Sequence, residues 1–405
     1  MILTGRGVGL TIAGAALVAG GFGFGYPELA IVGTTSLIAV GCALVYGAWR
    51  PKLSVERAVE PDRVARGEGS TVTLTVHNDN RLLAASLIAE DRCAEVPVAV
   101  PVIRLRPRTE STTSYPVPTG RRGVVGIGPL RVTRRDPLGL IGLSRDHGGT
   151  AQVWVHPRVH LIRAVPAGIS RSMDGRVDRV PHGSITFDTL REYVVGDELR
   201  HVHWRTSAKV GELMVREHLD TSLPRLVVLL DDRVGSYPDA AGAAPGAEIA
   251  PFEAVCEAAA SIVAAAMRED LPISIHTVSG AEAATMGTRA RSGARAHLDL
   301  LAEATLQPLT ETTEAGANAA LTQAANRLRQ HRPGDTLIYL TGVGGLADLG
   351  LVGLLRGPFP TIAVGCLGPA APDEPPTSGA AAGLLMLRAE DGLEFAAEWD
   401  GVRRW

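Results

Sequence analysis

Lysine is almost missing from this chain: among 405 residues only Lys52 and Lys209 carry an ammonium, against a large excess of arginine. An Arg-, Ala- and Gly-rich composition is what a GC-rich genome imposes, so the arginine count itself carries no functional message. Lys209 then has two readings, a required compact ammonium or a chance survivor. Net charge is small too, at −3, which removes the electrostatic footprint of a nucleic-acid binder. Cysteine is scarce. Cys42, Cys93, Cys256 and Cys366 are scattered without metal-site or redox spacing, so they read as small buried hydrophobes and require no oxidising compartment. The part of the chain beyond the first apolar segment has no Walker loop, dinucleotide fingerprint or nucleophile elbow. No Ser/His/Asp or Cys/His arrangement points to nucleophilic catalysis, and no cofactor is expected. The length leaves room for two or three domains.

What is present begins with two uncharged apolar runs, about 7–25 and 29–49. Each is about the length of a membrane span at ~1.5 Å per residue. Tyr26-Pro27-Glu28 between them suffices only for a helical-hairpin loop, so residues 1–50 read as a transmembrane hairpin facing the lipid bilayer. A cleavable signal peptide is disfavoured because the second run follows at once. Arg6 precedes the first run, and Arg50, Lys52 and Arg57 follow the second; the loop holds only Glu28. The positive-inside rule then predicts a multi-pass membrane protein with both termini cytoplasmic. Gly21, Gly23 and Gly25 are expected to serve close helix packing.

Residues 53–165 change to period two. Thr71 to Val76 alternates cleanly and ends at the turn His77-Asn78-Asp79-Asn80. Further strands are expected over 86–90, 96–105, 111–117, 123–132 and 152–156, a spacing that suits a β-sandwich. The opening strand followed by Arg66-Gly67-Glu68 resembles immunoglobulin-like modules. Asp136-Pro137-Leu138-Gly139-Leu140 reads as a fixed turn: Pro137 sets φ, Gly139 permits φ > 0, and Asp136 caps it.

The junction, residues 166–220, starts with a polar, irregular run, Ile169 to Gly183. It then holds the densest chemistry in the chain, Phe187 to Asp220. The pattern predicts an extended segment to Val195 and a turn at Gly196-Asp197 with Asp197 as N-cap. A helix from Glu198 to about Ala208 follows, then a stop at Gly211 and a strand over Leu213 to Leu219. Arg200 and Trp204 fall one helical turn apart, close enough for a guanidinium–indole contact. Three roles are open. His201, His203 and His218 are candidate metal ligands, but residues two apart on a helix point about 200° apart. Glu192, Asp197 or His203 are candidate acid–base groups. Arg191, Asp197, Arg200 and Glu217 are alternatively a structural ion-pair weld that also presents a partner surface. This last reading is favoured, since Arg and Trp anchor interfaces.

Residues 221–405 alternate strand and helix, which argues a doubly wound α/β sheet. Leu226 to Leu230 is a buried parallel strand with Asp231 at its carboxyl end, where such sheets place ligands. Helices are expected over 251–268, 294–304, 315–330 and 346–356, and strands over 273–278, 336–340 and 361–366. Ser236 to Ala247 reads as a solvated insertion, Pro369 to Gly379 as a linker, and Leu384 to Trp405 as a final strand pair.

Several of these residues together resemble the signature of a bacterial family, domain of unknown function 58. They are Arg191-Glu192-Tyr193, Gly196-Asp197, Arg200, Trp204, Ser207-Ala208 and Leu213-x-Val215-Arg216, with Lys209 beside them. Asp136-Pro137-Leu138-Gly139-Leu140 is similar to that family's upstream turn. The resemblance implies a membrane protein often encoded beside a MoxR-type AAA+ ATPase and transglutaminase-like proteins, with no established activity. It also implies that the α/β domain is similar to von Willebrand factor type A domains, which often hold Mg²⁺ on Asp-x-Ser-x-Ser. Here that run is Asp231-Asp232-Arg233-Val234-Gly235, with Arg and Gly where hydroxyls are needed. The later position, Thr341-Gly342, lacks its carboxylate. A hard cation wants several oxygens, so Asp231 remains only a weak metal candidate, and Arg233 is a candidate stand-in for the ion. The expected role is a non-enzymatic membrane scaffold or adaptor. The alternative is a small-ligand or metal binder, or an enzyme, at the sheet edge around Asp231.

Overall fold

The computed structural model describes residues 2–48, 53–80, 88–94, 96–100, 105–135, 138–164, 166, 168–172, 177–180, 188–193, 202–220, 225–244, 247–284, 290–308, 314–331, 334–369, 379–381 and 384–402. The chain falls into two compact units, Met1–Val155 and His156–Trp405.

The first unit opens with a short strand, β1 (Ile2–Leu3), and two helices, α1 (Gly5–Phe24) and α2 (Pro27–Ala48). α1 starts where the Thr4 hydroxyl accepts the Gly7 N–H and stops at Gly25 in the left-handed region, φ 73°. Both helices are long and apolar enough to cross a membrane. Their approach is set by glycine. A Cβ on Gly33 would lie 2.7 Å from the Val18 nitrogen, and one on Gly21 would lie 2.5 Å from the Ala30 nitrogen. Of the three glycines expected to pack, Gly21 does so, Gly25 ends the helix, and Gly23 faces open space.

The rest of this unit is β structure: β2 (Leu53–Glu60), β3 (Arg63–Ala65), β4 (Thr71–Asn78), β5 (Ile88–Cys93), β6 (Val96–Val100) and β7 (Glu110–Pro116). Then come β8 (Gly123–Ile127), β9 (Leu130–Arg135), β10 (Ile141–His147) and β11 (Ala151–His156). One sheet runs β1-β10-β9-β5-β8-β11-β3 with β6 on β5; the other is β2-β4-β7. Strict alternation of buried residues along β4 turns Val72, Leu74 and Val76 onto the larger sheet, where they meet Cys93, Ile127, Ala89 and Leu130. The expected strand over 123–132 is two strands divided at Gly128, whose φ is 89°.

Two charge and turn readings are sharpened here. Arg57, taken as a flanking cation, lies buried in β2 with its guanidinium on Asp91, so it is not a free membrane-flanking charge. The turn ahead of β10 holds the helical hairpin. Gly139 (φ 68°) and Leu140 offer their carbonyls to the Thr4 hydroxyl at 2.7 and 3.0 Å, and Leu140 also accepts the Thr4 N–H. Leu140 and Ile141 pack on Val40 and Ala43 of α2. Asp136 and Pro137 lie outside the described residues.

The second unit contains β12 (Gly168–Ser172), β13 (Val177–Val180), β14 (Asp188–Glu192), α3 (Trp204–Val210) and β15 (Met214–Asp220). The strands form an antiparallel sheet in the order β13-β12-β15-β14. The run expected to be irregular, Ile169 to Gly183, therefore contains a β-hairpin. Its backbone groups pair with each other and with Leu219 and Asp220, which overrides a polar composition.

The α/β portion follows: β16 (Leu226–Leu230), α4 (Ala250–Arg268), β17 (Ile273–Thr277), β18 (Glu282–Ala284), α5 (Ala290–Glu303) and α6 (Glu314–His331). It continues with β19 (Thr336–Gly342), α7 (Leu349–Gly353), β20 (Thr361–Leu367), β21 (Gly379–Ala381), β22 (Leu384–Ala389) and α8 (Gly392–Asp400). The sheet order is β18-β17-β16-β19-β20-β22-β21; β17 to β22 are parallel and the two edge strands antiparallel. β16 is buried on both faces. Leu226, Val228 and Leu230 join a core with α4 and α8, whereas Val227 and Leu229 join one with α6 and α7. α4 is also long and apolar enough for a span, but it is 78% buried within this unit and is a core helix.

Three expectations are corrected. The final strand pair is instead β22 followed by α8, which begins where Asp391 accepts the Glu394 N–H at 2.8 Å and buries Phe395 and Trp399. The helix expected over 346–356 is broken into 3-10 turns around the five-residue α7. The stretch from Ser236, expected to be solvated, starts with two 3-10 turns and buries Ser236 and Tyr237 completely.

Candidate functional site

Chain order reverses between β16 and β19, and sheets of this kind take ligands at the carboxyl ends of such strands. Asp231 stands there, fully buried, its N–H donating to Leu340 O. Its carboxylate is saturated by its own chain. Arg233 grips it from the side: Nε donates to Oδ1 and Nη2 to Oδ2, both at 2.8 Å. Oδ2 also accepts from Ser236 Oγ at 2.6 Å, Tyr339 OH at 2.6 Å and Thr341 Oγ1 at 2.8 Å. The remaining arm of the guanidinium, Nη1, donates to Asp348 at 2.8 Å. Tyr237 OH donates to the Asp231 carbonyl at 2.6 Å.

Glycine lets the chain close over this crevice. A Cβ on Gly344 would sit 2.6 Å from Gly235 O, and one on Gly345 would strike the Thr341 hydroxyl. Burial by itself pushes the Asp231 carboxyl up, but the Arg233 guanidinium and the donors from Ser236 and Tyr339 outweigh it and hold the pKa below the ordinary carboxylate value. The same burial and the Asp231 charge lift the Tyr339 and Tyr237 phenols far above theirs, so both stay protonated donors. A divalent cation does not fit this donor set. The guanidinium already covers both carboxylate oxygens, and positions 233 and 235 offer no hydroxyl. The stand-in role expected of Arg233 matches this geometry.

Asp232 turns the other way. Its Oδ1 accepts the Ser279 N–H at 3.0 Å, and its carbonyl accepts the Gln307 N–H at 2.7 Å. Burial raises its pKa; the Ser279 hydrogen bonds oppose this and the neighbouring Asp231 charge adds to it. It lines a cleft of about 520 Å³ together with Thr277, Ser279, Asp299, Glu303 and Gln307.

The second candidate region is the hairpin of β14, α3 and β15. Its helix does not start at Asp197. His203 is the N-cap: with a non-helical backbone at φ −89°, ψ 82°, its Nδ1 accepts the Thr206 N–H at 3.3 Å. That ring nitrogen's role is therefore capping, and α3 begins with Trp204 as its first residue. Arg200, expected one turn before Trp204 in the same helix, precedes the described helix. Gly196, Asp197, Arg200 and His201 lie outside the described residues, as do the side chains of Arg191, Glu192, Arg216, Glu217 and His218. The expected ion-pair weld therefore falls there too. Tyr193 is half-buried and donates its N–H to Leu213 O at 2.8 Å. Ser207 is buried and joins helix to strand, accepting the Met214 N–H at 2.8 Å and donating to His203 O at 3.1 Å. Trp204 and Lys209 are exposed, Lys209 in the last turn of α3, where a cation complements the helix dipole.

A family described as "Protein of unknown function DUF58" matches residues 189–340. That stretch covers less than half of the chain. It runs from β14 through α3 and the Asp231–Arg233 pair into β19. Comparison with curated proteins gives no match. Among solved structures, a CARDB domain from Pyrococcus furiosus, in complex with di-metal ions, is 18% identical over 26% of this chain and 88% of its own, with a TM-score of 0.21. Cwp6 from Clostridium difficile is 8% identical over 86% of this chain and 56% of its own, with a TM-score of 0.18. Neither likeness is high enough to bear on fold or function.

Sequence reasoning found Asp231 and Arg233 but missed Ser236, Tyr237, Tyr339 and Asp348. An aromatic inside a Pro/Ala/Gly loop was the one available signal, at Tyr237.

Proposed function

We propose that this chain is a membrane-anchored, non-enzymatic scaffold or adaptor of the DUF58 type. In this reading α1 and α2 span the bilayer with both termini cytoplasmic, the β unit is an immunoglobulin-like module, and the α/β portion is a degenerate von Willebrand factor type A-like domain. Its partner is a MoxR-type AAA+ ATPase, with a transglutaminase-like membrane protein as a further candidate, in the assembly or maturation of protein or envelope complexes. The supporting observation is the closed crevice. A carboxylate holding a guanidinium and three hydroxyls offers nothing to a substrate or ion, so the unit's work falls to its surfaces. The test is retention of the purified ATPase by the full chain in detergent, with and without ATP. Retention in either state supports the reading; none in both, from folded protein, sinks it. Reporter fusions at each terminus check the orientation.

A second reading, a small-ligand or metal binder or an enzyme at the sheet edge, is favoured by one feature. The cleft beside Asp232 is also lined by Asp299 and Glu303, an acidic opening of about 520 Å³, although Asp299 already meets His156 at 2.8 Å. Thermal shift with Mg²⁺, Ca²⁺ and Mn²⁺ discriminates: stabilisation lost in Asp232→Asn moves the assignment there.

A further inference from the structure

Exposed large hydrophobic side chains cost solvation and, where they stand singly, need no explanation. Outside α1 and α2 most are single here, as with Val96, Leu354 and Leu393. Val159 and Leu161 stand two apart, and one short stretch holds three. Trp204 is 64% exposed, Val210 57% and Leu213 41%, all within ten residues of one helix and its exit. Between Trp204 and Val210 around the exposed circumference of α3 stand Arg205 and Lys209, four residues apart, on one side and both exposed, with Glu212 an exposed carboxylate after them. Neither is ion-paired among the described residues. The helix that presents them is held rigidly. His203 caps its start, Gly211 (φ 89°) ends it with an N–H to Ser207 O at 2.9 Å, and buried Ser207 pins it to Met214.

We propose that this face of α3 is a docking site for an acidic segment of a partner protein. Trp204 supplies a flat, rigid apolar contact of low conformational entropy, and Val210 and Leu213 extend it. Arg205 grips a carboxylate as a bidentate fork, and Lys209 meets a second as a point charge one helical turn on. The spacing selects carboxylates on successive turns of a helix or two apart along a strand. This gives the lone lysine of the second unit a reason to be there. The proposal rests on the scaffold reading but does not need the partner to be the ATPase.

The experiment places a photo-crosslinking residue on this face, Ala208→benzoylphenylalanine, in the full chain in membranes of the cells that make it. The expected result is one protein adduct whose crosslinked peptide carries Asp or Glu flanking an apolar residue. Its yield falls at least about tenfold in R205E/K209E and in Trp204→Ser. It persists in the charge-preserving pair Arg205→Lys with Lys209→Arg, which controls for folding. An adduct to lipid, an adduct that survives charge reversal, or no adduct at all overturns the proposal. A charge-dependent protein adduct other than the ATPase supports the docking site and leaves the ATPase assignment to the retention test.

Discussion

Each unit of this protein buries one arginine, one aspartate and one tyrosine in nearly the same embrace. In the β unit Arg57 Nη2 reaches both oxygens of Asp91 at 2.9 and 3.0 Å, and Tyr115 OH donates to Asp91 Oδ2 at 2.6 Å. In the α/β unit Arg233 takes both oxygens of Asp231, and Tyr339 OH donates to Oδ2, again at 2.6 Å. Burial, and then the carboxylate, raise the pKa of both phenols, which keeps each a donor. What differs is how completely the groups are satisfied. Arg57 Nε is buried with no hydrogen-bond partner among the described residues, whereas Arg233 Nε is bonded, and Asp231 gathers Ser236 and Thr341 besides. Arg57 also runs from the small sheet to a strand of the large one and passes Gly128, where a positive φ of 89° favours glycine. The first trio is a brace between two sheets. The second fills the place where the sheet would hold a ligand. Identical chemistry thus serves register in one unit and closure in the other, and only the completeness of the hydrogen bonding tells them apart.

The largest effect expected is from Asp231→Ala. It strands the Arg233 cation in the core and should cost roughly 3–5 kcal/mol, read by hydrogen exchange of the β16 and β19 amides in the full chain. A loss under about 1 kcal/mol would mean the guanidinium escapes to solvent and the closure is weak. Next comes an apolar swap in each unit. R57M/D91L/Y115F removes a whole, imperfectly satisfied cluster and should be near neutral or up to about 4 kcal/mol stabilising. R233M/D231L/Y339F leaves the buried Ser236 hydroxyl without its partner, at about 1–3 kcal/mol, while Thr341 keeps Gly342 O and the part-exposed Asp348 is left to water. Equal urea midpoints for the two triples would erase the distinction drawn above. Smaller again is the conversion of the closed site into a cation site. R233S/G235S in excess Mg²⁺ should regain about 2.7 kcal/mol at 100 times Kd. The unsubstituted protein should show no shift from binding at Asp231, which D231A controls.

The two units were not equally legible. The helical hairpin is plain in the sequence because uncharged length is a local property, and β4 because its alternation is. Asp231 could be placed because a carboxyl-terminal strand position is also local. Its partner Tyr339, and Asp348 on the far arm of Arg233, come from more than a hundred residues away, and nothing in their own neighbourhoods marks them. The start of α3 misled for a physical reason. Gly196-Asp197 is a good turn and cap signal, but His203, an unusual capping residue, holds the actual first turn through a ring nitrogen. The hairpin of β12 and β13 escaped notice because its strands are polar and rest on pairing rather than on hydrophobic alternation.

The finest test uses two neighbours, Asp231 and Asp232, whose pKa values are moved in opposite directions. Asp231 lies below the ordinary value of 3.8, so its contribution to stability is present above that pH and is lost as pH falls through its folded pKa. Asp232 lies above 3.8, so its contribution is fully present below that pH and is lost as pH rises through its folded pKa. Asparagine mimics the neutral form of either. Asp232→Asn, which keeps an acceptor for the Ser279 N–H, should therefore be more stable than the parent at pH 7, with the gain vanishing below pH 3.8. Asp231→Asn should be less stable at pH 7, with the deficit closing only at still lower pH. Thermal midpoints between pH 3 and 7 give both curves. If the two differences change with pH in the same sense, the guanidinium does not hold Asp231 ionised, and the contrast between a sealed carboxylate and one facing a cleft fails.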